Sequence, residues 1–490
     1  MDAPLHTTLH RTAKVFMDDG RAATEDEAMA LLRSFGLTIR VGPEIHDRPD
    51  AQIALLTLVN LARRTLLGGV EVVGVGEAPR LCLLGEGENL ASAVEALGGR
   101  NVPNAGGTWP TALIGSADAG AASVGWRLTW AGWRGGVAPI RDGFSLEAAA
   151  SVMPLAPALA AAVCMGEVFA WHAGDHPMAG RRRAGLSLWR PEADWEAAAP
   201  EPPLMRLPSS LWLIGLGNLG QAYAWLLACL PYPAGGLTVM LQDFDRLAPS
   251  NDSTSILTQA EGVGQMKTRW VADWLEGRGV EVLIEERRFG PWMARQPDEP
   301  AAALCGVDNP AARRALEDAG FELVIESGLG AGPQSFRNFA LHVFPGARRA
   351  AALWPTTLDM RGRDVAIMPA YADLSARGLD DCGLAQLASR TVGVPFVGLL
   401  AGLLTISELL RRLNGGVGYD VIAGSSLCLD DVEVSASEAR PYSHGFCQRV
   451  PERQASHSYA RGTSSLARRP SANVLNMATR PMSAFGAALS

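Results

Sequence analysis

A stretch in the middle of the chain combines residue types and spacings that could bind a nucleotide. The run Gly215-Leu-Gly-Asn-Leu-Gly220 lets the backbone approach a phosphate, and a helix that follows it presents unpaired N–H groups there. Asp243 and Asp245 follow a short apolar segment, where a carboxylate can accept hydrogen bonds from ribose hydroxyls. Lys267 and Asp308 come later and could supply a cation for phosphate charge and a carboxylate for Mg²⁺. Together these residues predict a nucleotide phosphate site.

The glycine pattern alone does not decide between nucleotides, because NAD-linked oxidoreductases carry it too. Such an enzyme has no need for a lysine and a further acid at the phosphate end, whereas an ATP-cleaving enzyme does. Lys267 is also compatible with a solvated lysine at a helix start, and Asp308 with a helix cap ahead of Pro310. Their occurrence after the glycine run and the acids favours ATP.

Alternating strands and helices must position these residues, so the sequence predicts an α/β fold. Apolar strands precede the glycine run and the two acids, and a helix covers the glycine turn. The predicted elements are strands at Leu211–Ile214, Leu237–Leu241 and Leu323–Gly328, and helices at Gln221–Leu230 and 395–413.

The order of motifs resembles the ThiF/MoeB-type adenylyltransferases and the ubiquitin-activating enzymes built on the same domain. The matching parts are the glycine run, the D-x-D acids, Ser250-Asn251, a G-x-x-K segment ending at Lys267, and Asp308-Asn309 with Arg313. The resemblance implies two Rossmann-like adenylation halves around mainly parallel sheets, with ATP and Mg²⁺ as cofactors. The nucleotide-binding residues it implies are Gly215, Gly217, Asn218, Gly220, Asp243, Asp245, Asn251, Lys267 and Asp308, with Asp308 as the metal ligand and Lys267 as a catalytic cation.

One position departs from this pattern. Relatives usually carry an arginine three residues after the asparagine of the Ser-Asn pair, where it reaches the ATP phosphates. This chain has Thr254 there. Arg11 is a candidate replacement, acting across the interface between the halves, although a lone arginine near the N-terminus is also compatible with a surface charge.

A repeated pattern indicates that the first half is a duplicated copy. Pro154 and Glu167 lie on one apolar helix, and Pro395 and Glu408 lie at the same spacing on another. Coincidence between two Ala/Leu-rich helices is the alternative explanation. The turn at 42–50 lacks the glycine triplet and carries acids that would repel a phosphate. The first half is therefore predicted to be an inactive, structural partner.

These observations divide the chain into four parts. Residues 1–190 form the inactive half, and 191–204 a proline-rich linker. Residues 205–435 form the active half, with a crossover loop at 355–394 whose part Pro355–Asp381 is polar and irregular. Residues 436–490 are predicted to be a disordered tail.

Cys382 lies at the end of this loop, ahead of the apolar helix, as the nucleophilic cysteine does in activating enzymes for ubiquitin-like modifiers. The resemblance, closest to such enzymes of bacterial conjugation operons, implies adenylation of a ubiquitin-like protein, thioester formation on Cys382, and transfer to a conjugating enzyme. Three alternatives stay open. They are a sulfur-carrier or peptide adenylyltransferase that stops at the acyl-adenylate, an NAD-linked oxidoreductase, and a nucleotide-binding scaffold without turnover.

Composition limits the remaining function classes. The net charge of −8 argues against nucleic acid as a main partner. Seven cysteines show no C-x-x-C, which favours a reducing cytoplasm and no structural zinc. The N-terminus has no apolar signal core, so secretion is not expected. The uncharged run 148–166 contains prolines and is predicted to be a buried helix, so no membrane-spanning segment is expected. The paired halves are compatible with a homodimer or a pseudo-dimeric monomer.

Overall fold

Two mainly parallel β-sheets, one in each half of the chain, carry the architecture. A computed structural model describes residues 5–147, 153–197, 200–355, 368–437 and 446–451. The first sheet has seven strands and the second has eight. The predicted α/β fold with two Rossmann-like halves is therefore confirmed.

The first half contains six helices and seven strands within its described residues. In chain order they are α1 (Leu5–Thr8), α2 (Ala13–Asp18), α3 (Glu25–Ser34), β1 (Gly36–Val41), α4 (Pro49–Ala62), β2 (Gly69–Val73), α5 (Leu90–Ala96), β3 (Arg100–Asn101), β4 (Thr111–Ile114), β5 (Gly125–Ala131), β6 (Arg134–Pro139), α6 (Ala156–Ala173) and β7 (Ala184–Ser187). The strand order is β3-β2-β1-β4-β5-β6-β7, parallel up to β5 and antiparallel beyond it.

The second half repeats this order. Its elements are β8 (Arg206–Pro208), β9 (Ser210–Ile214), α7 (Asn218–Leu227), β10 (Thr238–Gln242), α8 (Lys267–Glu276), β11 (Glu281–Glu285), β12 (Ala302–Cys305), α9 (Pro310–Arg314), β13 (Leu323–Leu329), β14 (Asn338–Phe344), α10 (Ala350–Leu353), α11 (Pro369–Ala376), α12 (Asp381–Ser389), α13 (Pro395–Leu413), β15 (Tyr419–Ser425), β16 (Cys428–Ala436) and β17 (Cys447–Arg449). The sheet runs β11-β10-β9-β12-β13-β14-β15-β16, again parallel first and antiparallel after β13.

Matched strand orders and matched helices support the duplication. Helices α6 and α13 occupy the same place in their halves and pack against each other. Glu167 on α6 is buried and pairs with Arg182 at 2.6 Å, while Glu408 on α13 is buried and pairs with Arg412 at 2.5 Å and with Arg411. A buried carboxylate needs such a cationic partner, and each half supplies arginine for the glutamate on its central helix.

Apolar residues all round α6 explain its central position. Fifteen of its residues are buried, from Ala156 to Ala170, as expected for a helix without a polar face. By length and composition α6 could span a membrane, but 83% of it is buried inside the protein. It serves here as a core helix, and the uncharged run 148–166 overlaps its first part, while 148–152 lie outside the described residues.

The crossover segment differs from the prediction. Pro355–Asp381 was expected to be irregular, but α11 occupies part of it and α12 begins at its end, while 356–367 lie outside the described residues. Both helices contact the N-terminal helices of the first half, α11 against α2 and α12 against α1. The hydroxyl of Tyr371 donates to Asp18 Oδ1 at 2.6 Å. These long-range contacts stabilise helices that local composition did not indicate.

Smaller differences concern element ends and the chain terminus. The helix predicted at Gln221–Leu230 begins at Asn218, because the glycine turn leads straight into its first residue. Strand β17 lies inside the predicted tail and pairs with β8, the residue Cys447 facing Pro208. The tail beyond residue 451 lies outside the described residues.

Candidate active site

A cleft of about 580 Å³ opens at the carboxyl ends of β9, β10 and β12. Loops that follow adjacent parallel strands meet at this edge, which is where ligands bind in open α/β sheets. Its walls include every candidate nucleotide-binding residue predicted from the sequence except Gly220. The lining candidates are Arg11, Gly215, Gly217, Asn218, Asp243, Asp245, Asn251, Lys267 and Asp308.

The three glycines of the loop have different physical roles. Gly215 has φ +84°, and a Cβ there would lie 2.9 Å from Val307 Cγ1. A Cβ on Gly220 would lie 2.0 Å from the Gly215 oxygen, so only glycine permits the tight turn into α7 at this position. Gly220 packs against the loop backbone and does not line the cleft. Around Gly217 there is open space. The loop therefore leaves room for a ligand to approach the backbone at Gly217.

Acids and a lysine form a connected group beside this loop. Asp243 accepts hydrogen bonds from the backbone N–H of Leu216 at 2.7 Å and of Asp245 at 2.8 Å. Lys267 Nζ lies 2.9 Å from Asp245 Oδ2 and 4.0 Å from Asp243 Oδ2. Asp243 thus holds the glycine loop, and Lys267, the first residue of α8, is aimed at the cleft through its two acidic partners.

Asp308 follows β12 and is exposed on the cleft wall. The cap of α9 is Asn309, whose Oδ1 accepts from the N–H groups of Ala311 at 2.8 Å and Ala312 at 3.2 Å. The reading of Asp308 as the cap is therefore wrong, and its carboxylate is not used for that purpose. Arg313 turns away to Glu326 at 2.9 Å.

The two asparagines make internal hydrogen bonds. Asn251 Oδ1 accepts from the Ala248 N–H at 2.8 Å, which fixes the Ser250–Asn251 turn. Asn218 Nδ2 donates to the Val394 oxygen at 3.4 Å and so links the glycine loop to the chain entering α13. Both residues line the cleft while positioning its walls. Direct contact with a nucleotide stays a prediction for each.

Arg11 reaches the cleft from the first half, as the sequence suggested. Its backbone N–H donates to Ser253 Oγ at 3.1 Å, and its Nη2 donates to Ser250 Oγ at 3.3 Å. Burial, and then the like charge of Arg390, lower the pKa of Arg11 to about 10. The guanidinium is still charged at neutral pH and adds positive charge near the Ser-Asn turn.

Sequence reasoning missed two further groups of cleft residues. One is the segment Ser389–Gly393, which leads from α12 to α13 and carries Arg390. The other is aromatic and basic, with Phe244 and Trp292 43% and 65% exposed and Arg288 lying 4.4 Å from the Phe244 ring centroid. The position of Arg288 after the parallel strand β11 was a usable signal. No local signal indicated that the segment before α13 returns to the cleft.

Cys382 does not line this cleft. It is the second residue of α12 and is exposed, with Gln386 Nε2 at 3.6 Å from its sulfur. Asp380 caps the helix by accepting from the Gly383 N–H at 2.7 Å. Seven residues of helix separate Cys382 from Ser389 at the cleft, a rise of about 10 Å.

The corresponding turn in the first half is filled by a side chain. Glu44 accepts from the N–H of Ser116 and, at 2.8 Å, from its hydroxyl, just after β4. A Cβ on Gly115 would overlap the same carboxylate. Burial opposes ionisation, but these bonds and the Glu44 backbone N–H lower the pKa of Glu44. An anionic side chain thus lies in the turn that follows β1 and contacts the turn that follows β4, and the inactivity of the first half stays a prediction.

Comparison with known proteins adds the family. The BilD C-terminal domain family matches residues 207–416 and the BilD N-terminal domain family matches 36–188. The bacterial E1-like protein BilD of Collimonas sp. (strain OK412) is 57% identical over 449 residues, covering 91% of this chain and 97% of that protein.

Solved structures show only distant similarity. E. coli MccB with succinimide is 13% identical with a TM-score of 0.32, covering 47% of this chain and less than two thirds (63%) of MccB. E. coli tRNA N6-threonylcarbamoyladenosine dehydratase, TcdA, is 16% identical with a TM-score of 0.28, covering 42% and 86%. The relative that is 57% identical and the two matched domains show that the chain belongs to the BilD family of bacterial E1-like proteins.

Proposed function

We propose that this protein adenylates the C-terminal carboxylate of a ubiquitin-like protein and then holds it as a thioester on Cys382, for transfer to a conjugating enzyme. The observation that carries the proposal is one shared cleft, where Lys267, Asp243 and Asp245 stand beside the open backbone at Gly217. The relative described as E1-like supports the same class of activity.

In the first step a carboxylate oxygen of the modifier attacks the α-phosphorus of ATP. The bond from that phosphorus to the bridging oxygen breaks, and pyrophosphate leaves with the electron pair. The backbone at Gly217 and the N-terminus of α7 would hold phosphate oxygens, while Lys267 would exchange Asp245 for them as charge develops. Asp243 would accept from the ribose while keeping the loop in place.

Asp308 fits a role at Mg²⁺. Its carboxylate is exposed on the cleft wall, and it makes no ion pair within the described part of the chain. No group of three or more His, Cys, Asp or Glu side chains stands together among those residues. Mg²⁺ needs no such group, because it binds through one or two carboxylates with substrate phosphates and water. The ion would neutralise phosphate charge and Asp308 would hold it.

The second step requires Cys382 to approach the acyl-adenylate. Its sulfur attacks the acyl carbon, the bond to the AMP oxygen breaks, and AMP leaves with the electron pair while the thiol proton passes to solvent. Because Cys382 lies outside the cleft, about 10 Å of helix rise from its edge, α12 must move or unwind for this step.

The main alternative is a peptide or sulfur-carrier adenylyltransferase that stops at the acyl-adenylate. The position of Cys382 outside the cleft favours this alternative. NAD-linked oxidation is disfavoured by Lys267 and Asp308 in the cleft, as argued from the sequence. Thr254 keeps a scaffold without turnover as a third candidate.

ATP–pyrophosphate exchange in the presence of a candidate modifier tests adenylation. The modifier is a small protein ending in glycine, and the same protein with its terminal glycine removed is the control. Exchange that depends on the intact C-terminus is expected. Tight NAD binding without exchange would contradict the proposal.

A further inference from the structure

The missing arginine at position 254 is replaced from an unexpected part of the chain. Resting on the proposed function, we infer that Arg390 binds the terminal phosphates of ATP from the segment that leads into α13. Arg390 lines the same cleft as the glycine loop and Lys267. It therefore supplies the charge that relatives place three residues after the Ser-Asn asparagine.

Contacts place this segment against Thr254. A Cβ built on Gly393 would lie 3.3 Å from Thr254 Cγ2, so the Gly393 backbone lies against the Thr254 side chain. The hydroxyl of Thr12 donates to the Gly393 oxygen at 3.3 Å, which fixes the segment against the first half. Arg390 lies three residues before Gly393 and lines the same cleft as Thr254, so it is placed to approach the region that an arginine at 254 would occupy.

The charge balance around Arg390 points to an anionic ligand. Over the described ranges, no carboxylate lies within ion-pair distance of Arg390, and Arg390 is close enough to Arg11 for its like charge to lower the pKa of Arg11. Arg390 is exposed, so water weakens its repulsion with Arg11, and an anion bound between the two guanidinium groups would be attracted to both. The Arg11 backbone is bonded to Ser253, and its guanidinium donates to Ser250 at the Ser-Asn turn.

Other arginines of the cleft are engaged differently. Arg287 pairs with Glu285 at 2.7 Å, and Arg313 pairs with Glu326 at 2.9 Å. Arg288 packs on Phe244, which is part of the D-x-D turn. Arg390 differs from them because its segment contacts Thr254 through Gly393 and because it lies near Arg11, and both of these residues belong to the predicted phosphate region.

Calorimetry with Mg²⁺ and either a non-hydrolysable ATP analogue or AMP tests this assignment. Arg390→Ala should weaken binding of the ATP analogue by about tenfold to a hundredfold, as expected for a lost charge-assisted hydrogen bond. AMP lacks the terminal phosphates, so its affinity should change less than about twofold. Arg390→Lys should lie between the wild type and Arg390→Ala, because it keeps the charge but loses the bidentate geometry.

Two controls make the outcome specific. Arg377→Ala removes an arginine just after α11 that pairs with Asp373 at 2.9 Å outside the cleft, and it should leave both affinities unchanged. Arg288→Ala removes a cleft arginine on the Phe244 side and should not change the ratio of ATP to AMP affinity. Equal ATP affinity in Arg390→Ala and wild type, or equal weakening of ATP and AMP, would overturn the assignment. Failure of the wild type to bind ATP would instead overturn the proposed function.

Discussion

Arg64, just beyond the end of α4 in the first half, donates to Asp252 Oδ1 at 2.8 Å in the Ser-Asn turn of the second. Arg63 donates to the same carboxylate, and Arg64 also donates to the oxygens of Ile256 and Thr258. Arg64 is buried, and burial followed by the like charge of Arg63 lowers its pKa to about 9 in spite of Asp252. The first half therefore holds the turn that carries Asn251, a residue of the cleft wall.

Replacing Asp252 should loosen this junction. In Asp252→Asn a buried guanidinium loses its counter-charge, and the free energy of unfolding should fall by roughly 2–3 kcal/mol. The effect is smaller than for a fully buried pair because 42% of the Asp252 side chain is exposed. Chemical denaturation measures it, with Asp430→Asn on the exposed edge strand as control. If both variants had the same free energy of unfolding, the ion pair between Arg64 and Asp252 would not stabilise the fold.

Nucleotide stoichiometry should be one per chain. The first half has no glycine loop, and Glu44 occupies the turn where a phosphate would bind. Calorimetry with an ATP analogue measures the ratio directly, and Lys267→Ala, which changes only the second half, should abolish most of the binding. Two sites per chain, or binding that persists at half stoichiometry in Lys267→Ala, would show an active first half.

Lys267→Ala and Asp308→Ala should each lower ATP–pyrophosphate exchange by roughly a hundredfold or more, as expected when electrostatic stabilisation of the transferring phosphate is lost. Arg269→Ala is the matched control for the lysine, because it lies on the same helix but pairs with Glu286 at 2.9 Å outside the cleft. Asp318→Ala, an exposed acid elsewhere, is the control for Asp308. Unchanged exchange in the two cleft variants would remove their assigned roles.

His10 should make the junction between halves sensitive to acid. Burial lowers the pKa of His10 to about 4, with Asp252 and a backbone hydrogen bond to Arg64 opposing the shift. As pH falls from about 6.5 towards 4 the unfolded chain binds a proton that the folded chain does not, so stability falls by about 1.4 kcal/mol per pH unit. Below pH 4 both the folded and the unfolded chain bind the proton, so the free energy of unfolding falls no further. The total decrease is about 3 kcal/mol.

The measurement is the free energy of unfolding against pH for wild type and His10→Gln. The variant cannot take up this proton, so its curve should be flatter between pH 6.5 and 4. Identical slopes in that window would show that His10 is not the group responsible.

Much of the site could be predicted because its residues follow strands that are visible locally. Asp243, Lys267 and Asp308 lie far apart in sequence. They line one cleft because the carboxyl ends of adjacent parallel strands lie at the same edge of the sheet. The choice between Asp308 and Asn309 as helix cap could not be predicted, because both types cap well and the backbone decides.

Long-range packing explains what the sequence did not reveal. Helices α11 and α12 have little apolar periodicity of their own, and contacts such as Tyr371 with Asp18 hold them on the first half. The return of Arg390 to the cleft depends on the same docking, together with the hydrogen bond from Thr12 to Gly393. Neither contact has a local signature, since the partners are separated by most of the chain.

Exposure narrows the choice of nucleophile for thioester formation. Of the seven cysteines, Cys382 and Cys428 are exposed. Burial raises the pKa of Cys305 to about 12 and of Cys82 to about 11, and it raises the pKa of Cys164 and Cys229 strongly, so these thiols are poor sources of thiolate. Cys428 lies on the edge strand β16, whereas Cys382 lies on the helix that leads to the cleft.

Cys382→Ala should keep ATP–pyrophosphate exchange and abolish the adduct with the modifier that reducing agent removes. Adenylation needs only the cleft, which Cys382 does not line, whereas the adduct needs a sulfur that can reach the acyl carbon. Cys428→Ala is the matched control and should keep both activities. Gel analysis of enzyme, modifier and ATP, with and without reducing agent, measures the adduct. If Cys382→Ala still forms it and Cys428→Ala does not, the nucleophile is Cys428. If both variants form it, the half-buried Cys447 is the next to replace.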